Sequence, residues 1–346
     1  MNQDILYQEI IQQPSIIASL IKTQAEQMRE IIAKTAGKYN YVVIAARGTS
    51  DNAARYAQYL LGSHNHLQVA LATPSLFSLY KTPPFMQGAL VIGISQSGQS
   101  PDVVSVLSEA RKQGCPTLSI TNDPNAPLAQ ASEFVFPLNA GAEIATAATK
   151  SYTSSLAALA LFSALLSGEK ERYQELTKIA PIMQQVLESS LPQTEKIDRY
   201  RFMQYCMVIG RGFNYCTAFE VALKIKELSR VIAAGFSSAD FQHGPIAVIG
   251  KGSPVILIGV KGAAFEDTLR FKRSMQALGA ELIIISNQES LLEGGNLPLP
   301  IPTDLPEHLS PMVTVLPGQL IARQLTIEKG LDTDHPTGIH KVTETL

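Results

Sequence analysis

ALVIGISQSGQSPDVVSVLSEARKQG, residues 89–114, is the stretch whose reading decides the fold. It opens on an unbroken apolar run, ALVIGI (89–94). Such a run suits a parallel strand covered on both faces, because a strand with one wet face would alternate. It closes on PDVVSVLSEARKQG, which reads as a helix. Between the two lies a polar turn rich in serine. Working outward, YVVIAA (41–46), LQVAL (67–71), PTLSI (116–120) and EFVFPL (133–138) are further apolar runs, separated by helical stretches. Strand and helix in alternation predict α/β architecture with a doubly wound parallel sheet.

The pattern then repeats. Residues 14–36 come before it, with helical periodicity in Ile16, Ile17, Leu20, Ile21, Met28, Ile31 and Ile32. Residues 150–200 carry no strand signal and predict two or three helices, one of them charged and exposed around 168–176. A second strand series follows in YCMVIG (205–210), PVILIGV (254–260), ELIIIS (281–286) and MVTVLP (312–317). IAARG (44–48) lies opposite VIGRG (208–212) at an offset of 164, while 90–94 and 255–259, and 117–122 and 282–287, keep an offset of 165. Three strands holding one offset indicate a duplicated domain. The expected division is a helical segment over 1–34, a first domain over 35–168, a helical linker over 169–199, a second domain over 200–330 and a tail over 331–346.

Composition narrows the function. The chain has 346 residues, 45% hydrophobic, enough for two domains with large cores. Its net charge is −2 with no basic cluster, which argues against nucleic acid as a partner. The first ten residues, MNQDILYQEI, carry two acids and do not read as a signal or transit peptide. The longest apolar stretch, 154–166, is too short for a bilayer and reads as a buried helix. Cys115, Cys206 and Cys216 form no CxxC pair, so neither a disulfide framework nor a zinc site is indicated. No metal or cofactor is expected, and a reducing cytoplasm fits best.

Two sets of residues carry chemistry. In ISQSGQS (94–100), Ser95, Ser97 and Ser100 offer hydroxyls, Gln96 an amide, and Gly98 a close backbone approach. The start of the following helix adds free N–H groups and a positive dipole end, so the turn suits a phosphate monoester. Ser100 also fits as an N-cap before Pro101. The equivalent stretch of the second repeat, GVKGAAF (259–265), lacks the hydroxyls, which favours one phosphate site per chain. Gly48, Thr49 and Ser50, at the end of the first strand, form a second wall of the same crevice. No GxGxxG is present, which disfavours a dinucleotide-dependent oxidoreductase.

The second set begins on YCTAFEVALKIKELSR (215–230), an apolar helix interrupted by Glu220, Lys224 and Glu227 on one face. A wet intrahelical salt bridge would explain them, and so would acid–base chemistry. His243, in the loop DFQHGP, can exchange protons near neutral pH. Lys341 stands in the polar tail GLDTDHPTGIHKVTETL.

Together these segments resemble the sugar isomerase (SIS) superfamily, and within it the isomerase portion of the glucosamine-6-phosphate synthases. The likeness runs from about residue 30 to the end. It rests on RGTS (47–50), SQSGQS (95–100), NAGAEIATAATK (139–150), GRG (210–212) with FEVALKIKELS (219–229), HGPIAVI (243–249) and the HKVTE tail. The resemblance implies two tandem SIS domains, each a flavodoxin-like three-layer αβα sandwich. It implies that Thr49, Ser50, Ser95, Gln96, Ser97 and Ser100 hold a sugar phosphate. Glu227 would be the base between C1 and C2, Lys224 would lie at the sugar, His243 would assist ring opening from the neighbouring subunit of a homodimer, and Lys341 would fold over the sugar.

Three departures matter. Asn2 stands where a glutaminase nucleophile would be, Arg47 replaces the family's cysteine before Gly-Thr-Ser, and AAGFSSADFQ precedes the HGP motif. No glutaminase domain is therefore expected. The resemblance then implies a stand-alone glucosamine-6-phosphate deaminase of the second, SIS-type class. Galactosamine 6-phosphate or a fructosamine 6-phosphate are alternative substrates. A non-catalytic phosphosugar sensor is the alternative of another class, disfavoured because no basic helix-turn-helix precedes the first domain.

Overall fold

The structure, a computed structural model, describes residues 4–341. Residues 342–346 of the expected tail lie outside the described residues. The chain forms two compact units, neither contiguous in sequence: one of residues 15–143 and 150–178 with the tail from 340, the other of residues up to 14, 144–149 and 179–339.

The first unit holds β1 (Tyr41–Ala45), β2 (Gln68–Leu71), β3 (Ala89–Ser95), β4 (Thr117–Thr121) and β5 (Phe134–Pro137). They form one parallel sheet in the order β2-β1-β3-β4-β5, with Tyr41 opposite Ala89 and Val91 opposite Thr117. Around it lie α1 (Ile5–Thr35, its residues from 15 onward), α2 (Thr49–Asn65), α3 (Ser75–Ser78), α4 (Pro101–Lys112), α5 (Pro127–Ala131), α6 (Lys150–Ser167) and α7 (Lys170–Thr177). β3 is buried at every position, the physical reason for its unbroken apolar run. α4 buries Val103, Val106, Leu107 and Ala110, spaced as one helical face, in a core with Val43, Ala45 and Val91. α6 is buried from Lys150 to Ala164 and accounts for the apolar stretch over 154–166.

The second unit repeats the design. β6 (Tyr205–Gly210), β7 (Ile232–Ser237), β8 (Pro254–Gly259), β9 (Glu281–Ser286) and β10 (Leu297–Pro300) are all parallel in the order β10-β9-β8-β6-β7, the same topology read from the other edge. Its helices are α8 (Ile179–Thr194), α9 (Tyr215–Ser229), α10 (Ser238–Gln242), α11 (Phe265–Ala277), α12 (Glu289–Leu292) and α13 (Ser310–Glu328). The paired strands of the two sheets are those that share the offset. Among the described residues no helix is long and apolar enough to cross a membrane, and no cluster of three or more His, Cys, Asp or Glu could hold a metal. The three cysteines are free and buried, and burial pushes the Cys206 thiol up to about 12, far from a reactive thiolate.

One expected strand is corrected. MVTVLP (312–317) lies within α13, a helix buried from Ser310 to Ala322 despite Pro317 inside it. An apolar run buried on every side has no period by which to tell helix from strand. The outer strands of the second sheet, β7 and β10, are not among the runs read from the sequence. β7 carries Gly235, and β10 carries Pro298 and Pro300, residues that weaken a strand signal and that edges tolerate.

α13 packs closely on α9. A Cβ added at Gly318 would lie 2.2 Å from Cγ2 of the fully buried Val221. Gly318→Ala is therefore expected to destabilise the protein by about 1–2 kcal/mol. Overpacking costs about 1–3 kcal/mol and outweighs the roughly 1 kcal/mol gained in helix propensity. A lower denaturant midpoint checks this; a raised midpoint would show that the two helices have slack.

Candidate active site

In the first unit the chemistry gathers where β1 and β3, adjacent strands, end. This is the switch point of the sheet, because the chain leaves β1 toward β2 on one side and continues through β3 to β4 on the other. After β3 the loop turns through Gly98, whose φ is +63°; a Cβ there would lie 2.5 Å from that of Ala126. Only glycine fits both constraints. The loop is tied down by Leu128 N–H donating to Gly98 O at 3.0 Å and Asn122 N–H donating to Gln96 O at 3.2 Å. The buried Ser95 accepts from Gly98 N–H at 3.1 Å, and Ser97 accepts from Gln99 N–H at 3.3 Å.

Ser100 stands at the N-cap of α4 with Pro101 next, as read from the sequence, but its hydroxyl makes no capping bond. The Ser100 hydroxyl has no hydrogen-bond partner among the described residues, nor does that of Ser50. α2 begins at Thr49, directly after β1, with Gly48 at its N-cap and a φ of +54°. Two helix N-termini, α2 and α4, thus open at one sheet edge beside five hydroxyl side chains, a donor-rich setting suited to an oxyanion.

The second copy of this turn is chemically different. Between β8 and α11, Ala263 N–H donates to Glu307 Oε2 at 2.9 Å, and Lys261 N–H donates to Asn287 Oδ1 at 2.8 Å. Side chains of the unit itself satisfy the amides.

Also in the second unit, α9 carries Glu220, Lys224 and Glu227. Lys224 Nζ lies 2.6 Å from Glu227 Oε2 and 3.5 Å from Glu220 Oε1. The side chains of Lys224 and Glu220 are 1% and 0% exposed, which rules out a wet surface stripe. Glu227 is 24% exposed and so keeps an edge to solvent. The three side chains together carry one more negative than positive charge, and burial of Lys224 and Glu220 without pairing would be costly. His243 lies at the end of α10 and is exposed. Its imidazole makes no hydrogen bond or ion pair among the described residues, and none links it to Glu227.

Lys341 is held in the first unit. Its Nζ lies 3.1 Å from Glu143 Oε2. The Glu143 side chain is fully buried and also accepts from Ser151 N–H at 3.0 Å and Ser151 Oγ at 2.8 Å. Glu143 lies in NAGAEIATAATK (139–150), and nothing in the sequence marks it as a site residue. The only signal available was an acid in a small-residue loop, and its partner lies 198 positions away.

This arrangement has a direct consequence for the tail. Trypsin must take the Lys341 side chain to cut after it, and Glu143 holds that side chain. Glu143→Gln is expected to speed tryptic cleavage after Lys341 by about 10-fold, the worth of a charge-assisted bond. Mass spectrometry of the native digest would follow it, and an unchanged rate would mean that Glu143 does not retain the tail.

Comparison with known proteins sets these features in a family. A family model, the SIS domain, matches residues 38–165 and 206–329. A glutamine–fructose-6-phosphate aminotransferase (isomerizing) from Geobacillus kaustophilus is 33% identical over 97% of this chain and 57% of its own length. The chain thus spans less than three-fifths of the length of the curated relatives it matches. The C-terminal domain of glucosamine-fructose-6-phosphate aminotransferase from Francisella tularensis is 26% identical at a TM-score of 0.84, covering 96% of this chain and 98% of that one. A glucosamine-6-phosphate deaminase from Thermotoga maritima has the same fold, at 21% identity and a TM-score of 0.82, covering 99% and 100%.

Proposed function

Because the chain belongs to the SIS domain family, we propose that it acts on a phosphosugar, and that the reaction is deamination of an amino-sugar phosphate: glucosamine 6-phosphate plus water gives fructose 6-phosphate plus ammonia. The observation that carries this reading is the ion pair of α9, in which a lysine 1% exposed meets a carboxylate that still reaches solvent. The fold has no need of that arrangement, since an apolar residue would pack there at lower cost.

The chemistry follows from the groups available. The hydroxyls and amides at the ends of β1 and β3 (Thr49, Ser50, Ser95, Gln96, Ser97 and Ser100) grip the phosphate. His243 assists ring opening, which exposes the C1 aldehyde and acidifies the C2 proton. Glu227 takes that proton, giving an enolamine, and returns it at C1 to leave a ketimine at C2. Water adds to the ketimine carbon and ammonia departs, leaving the ketone. Lys224 and Lys341 stabilise the oxyanion that develops as the proton leaves C2. The exposed His243 side chain supports a homodimer in which it serves the partner subunit.

Purified protein is expected to release ammonia and fructose 6-phosphate in equal amounts from glucosamine 6-phosphate. Glu227→Gln should lower turnover by about 100-fold or more, the usual contribution of a positioned base. Mixing Glu227→Gln with His243→Gln subunits should restore activity, because one site of the mixed dimer then carries both intact residues. Release from galactosamine 6-phosphate alone would move the substrate and keep the mechanism. No release from either sugar would overturn the deaminase reading, and no recovery on mixing would overturn the shared site.

A further inference from the structure

The two repeats share a contact that neither the serine loop nor the acid–base residues explain. In the first unit Arg47, between β1 and α2, reaches Asp102 in the first turn of α4. Nε and Nη2 both donate to Oδ2, at 3.2 and 2.6 Å. In the second unit Arg211, between β6 and α9, pairs with Asp267 in the first turn of α11, Nη1 to Oδ2 at 3.2 Å. These are equivalent positions, at offsets of 164 and 165. Both copies of the domain in this chain thus carry a pair that ties the strand-end loop to the start of the neighbouring helix.

What surrounds the pair differs. In the second unit Asp267 is 27% exposed and also engages Arg270 and Ser238, at 3.2 and 3.0 Å. There the turn's amide at Ala263 is taken by the Glu307 carboxylate. The chain itself thus supplies an anion to the second copy of the turn. In the first unit Asp102 is 2% exposed, Arg47 is 47% exposed, and Arg47 Nη1 makes no hydrogen bond among the described residues. The Ser50 and Ser100 hydroxyls likewise make no hydrogen bond among the described residues.

We propose that Arg47 is a substrate-binding residue that contributes a full positive charge to the phosphate grip, with Asp102 holding its fork in place. The inference rests on the phosphosugar reading above. A guanidinium pinned along one edge loses little freedom when the other edge takes a phosphate oxygen. A buried carboxylate at the mouth of a phosphate site would repel a dianion, and the same arginine cancels it. The grip is then part hydroxyl and part charge, and it selects an ionised phosphate over a neutral sugar.

Arg211 provides the control, because its loss breaks the same tie without touching the serine loop. Calorimetric affinities for glucosamine 6-phosphate and for inorganic phosphate, at low and high salt, would be compared for wild type, Arg47→Gln, Arg47→Lys, Arg211→Gln and Ser97→Ala. Arg47→Gln should weaken both ligands by about 10- to 100-fold, as expected for a charge-assisted bond, and flatten the salt dependence. Arg47→Lys, which keeps the charge, should retain that salt dependence. Ser97→Ala should weaken binding with the salt dependence intact, and Arg211→Gln should leave affinity within about 2-fold, since it breaks a partly exposed pair in the copy that lacks the hydroxyl turn. Arg47→Gln binding like wild type, or losing no more than Arg211→Gln, would overturn the proposal. So would recovery of affinity in Arg47→Gln/Asp102→Asn, which would reduce Arg47 to a counter-charge. Wild type binding neither ligand would overturn the phosphosugar reading itself, and this proposal with it.

Discussion

β3 has no exposed position, and the rest of the first unit depends on that constraint. A strand covered on both faces must be apolar along its length, so polar side chains can emerge only where it ends. It must also lie between other parallel strands, which requires crossover helices and places helix starts at its carboxyl edge. The serine loop, the N-terminus of α4 and that of α2 therefore meet at one edge as a consequence of burial. The site is where the fold has amides to spare.

Against this, α9 shows what it costs to keep charge inside. Lys224 and Glu220 are buried among residues such as Val221, Ala222 and Ile225. Each ion alone would be strongly unfavourable there, and the pairing offsets part of the penalty. The third member, Glu227, is the one left partly exposed. Two buried members fix the geometry of a third that can meet a ligand, and α13, pressed against α9 at Gly318, keeps the helix in place.

The interior strands and the first sheet's edges, β2 and β5, were legible from the sequence as apolar runs, whereas the second sheet's edges, β7 and β10, were not, because Gly and Pro interrupt them. β1, β3, β4, β8 and β9 fall within or beside the runs read for them, whereas β7 and β10 do not appear there at all. The single apolar run placed in the wrong class, 312–317, became a helix because α13 is buried as completely as a central strand. At the site, local pattern revealed what local geometry builds: hydroxyls at a strand end and charges on a helix face. It could not reveal Glu143 or Asp102. Their partners are Lys341 and Arg47, brought to them by the tertiary fold, and an isolated acid in a loop or at a helix start carries no sign of that.

The duplication helps to separate architecture from function, since the two copies obey the same packing rules. What both retain, the strand order and the fully buried central strands, is what the fold requires. What only one retains needs another cause. The hydroxyls of 95–100 have no counterparts in 260–265, and there the chain uses a carboxylate to satisfy the turn. One copy of the turn meets its amides with a carboxylate and the other with serine hydroxyls, and the hydroxyl-lined copy has the donor pattern suited to an anion. The acid–base helix differs in the same way: α9 carries Glu220, Lys224 and Glu227, whereas α2 has Tyr56, Leu60 and Ser63 at the equivalent positions, offset by 164. Under the proposed function, each copy carries one kind of chemistry, and the duplicated position in the other copy is occupied by different side chains.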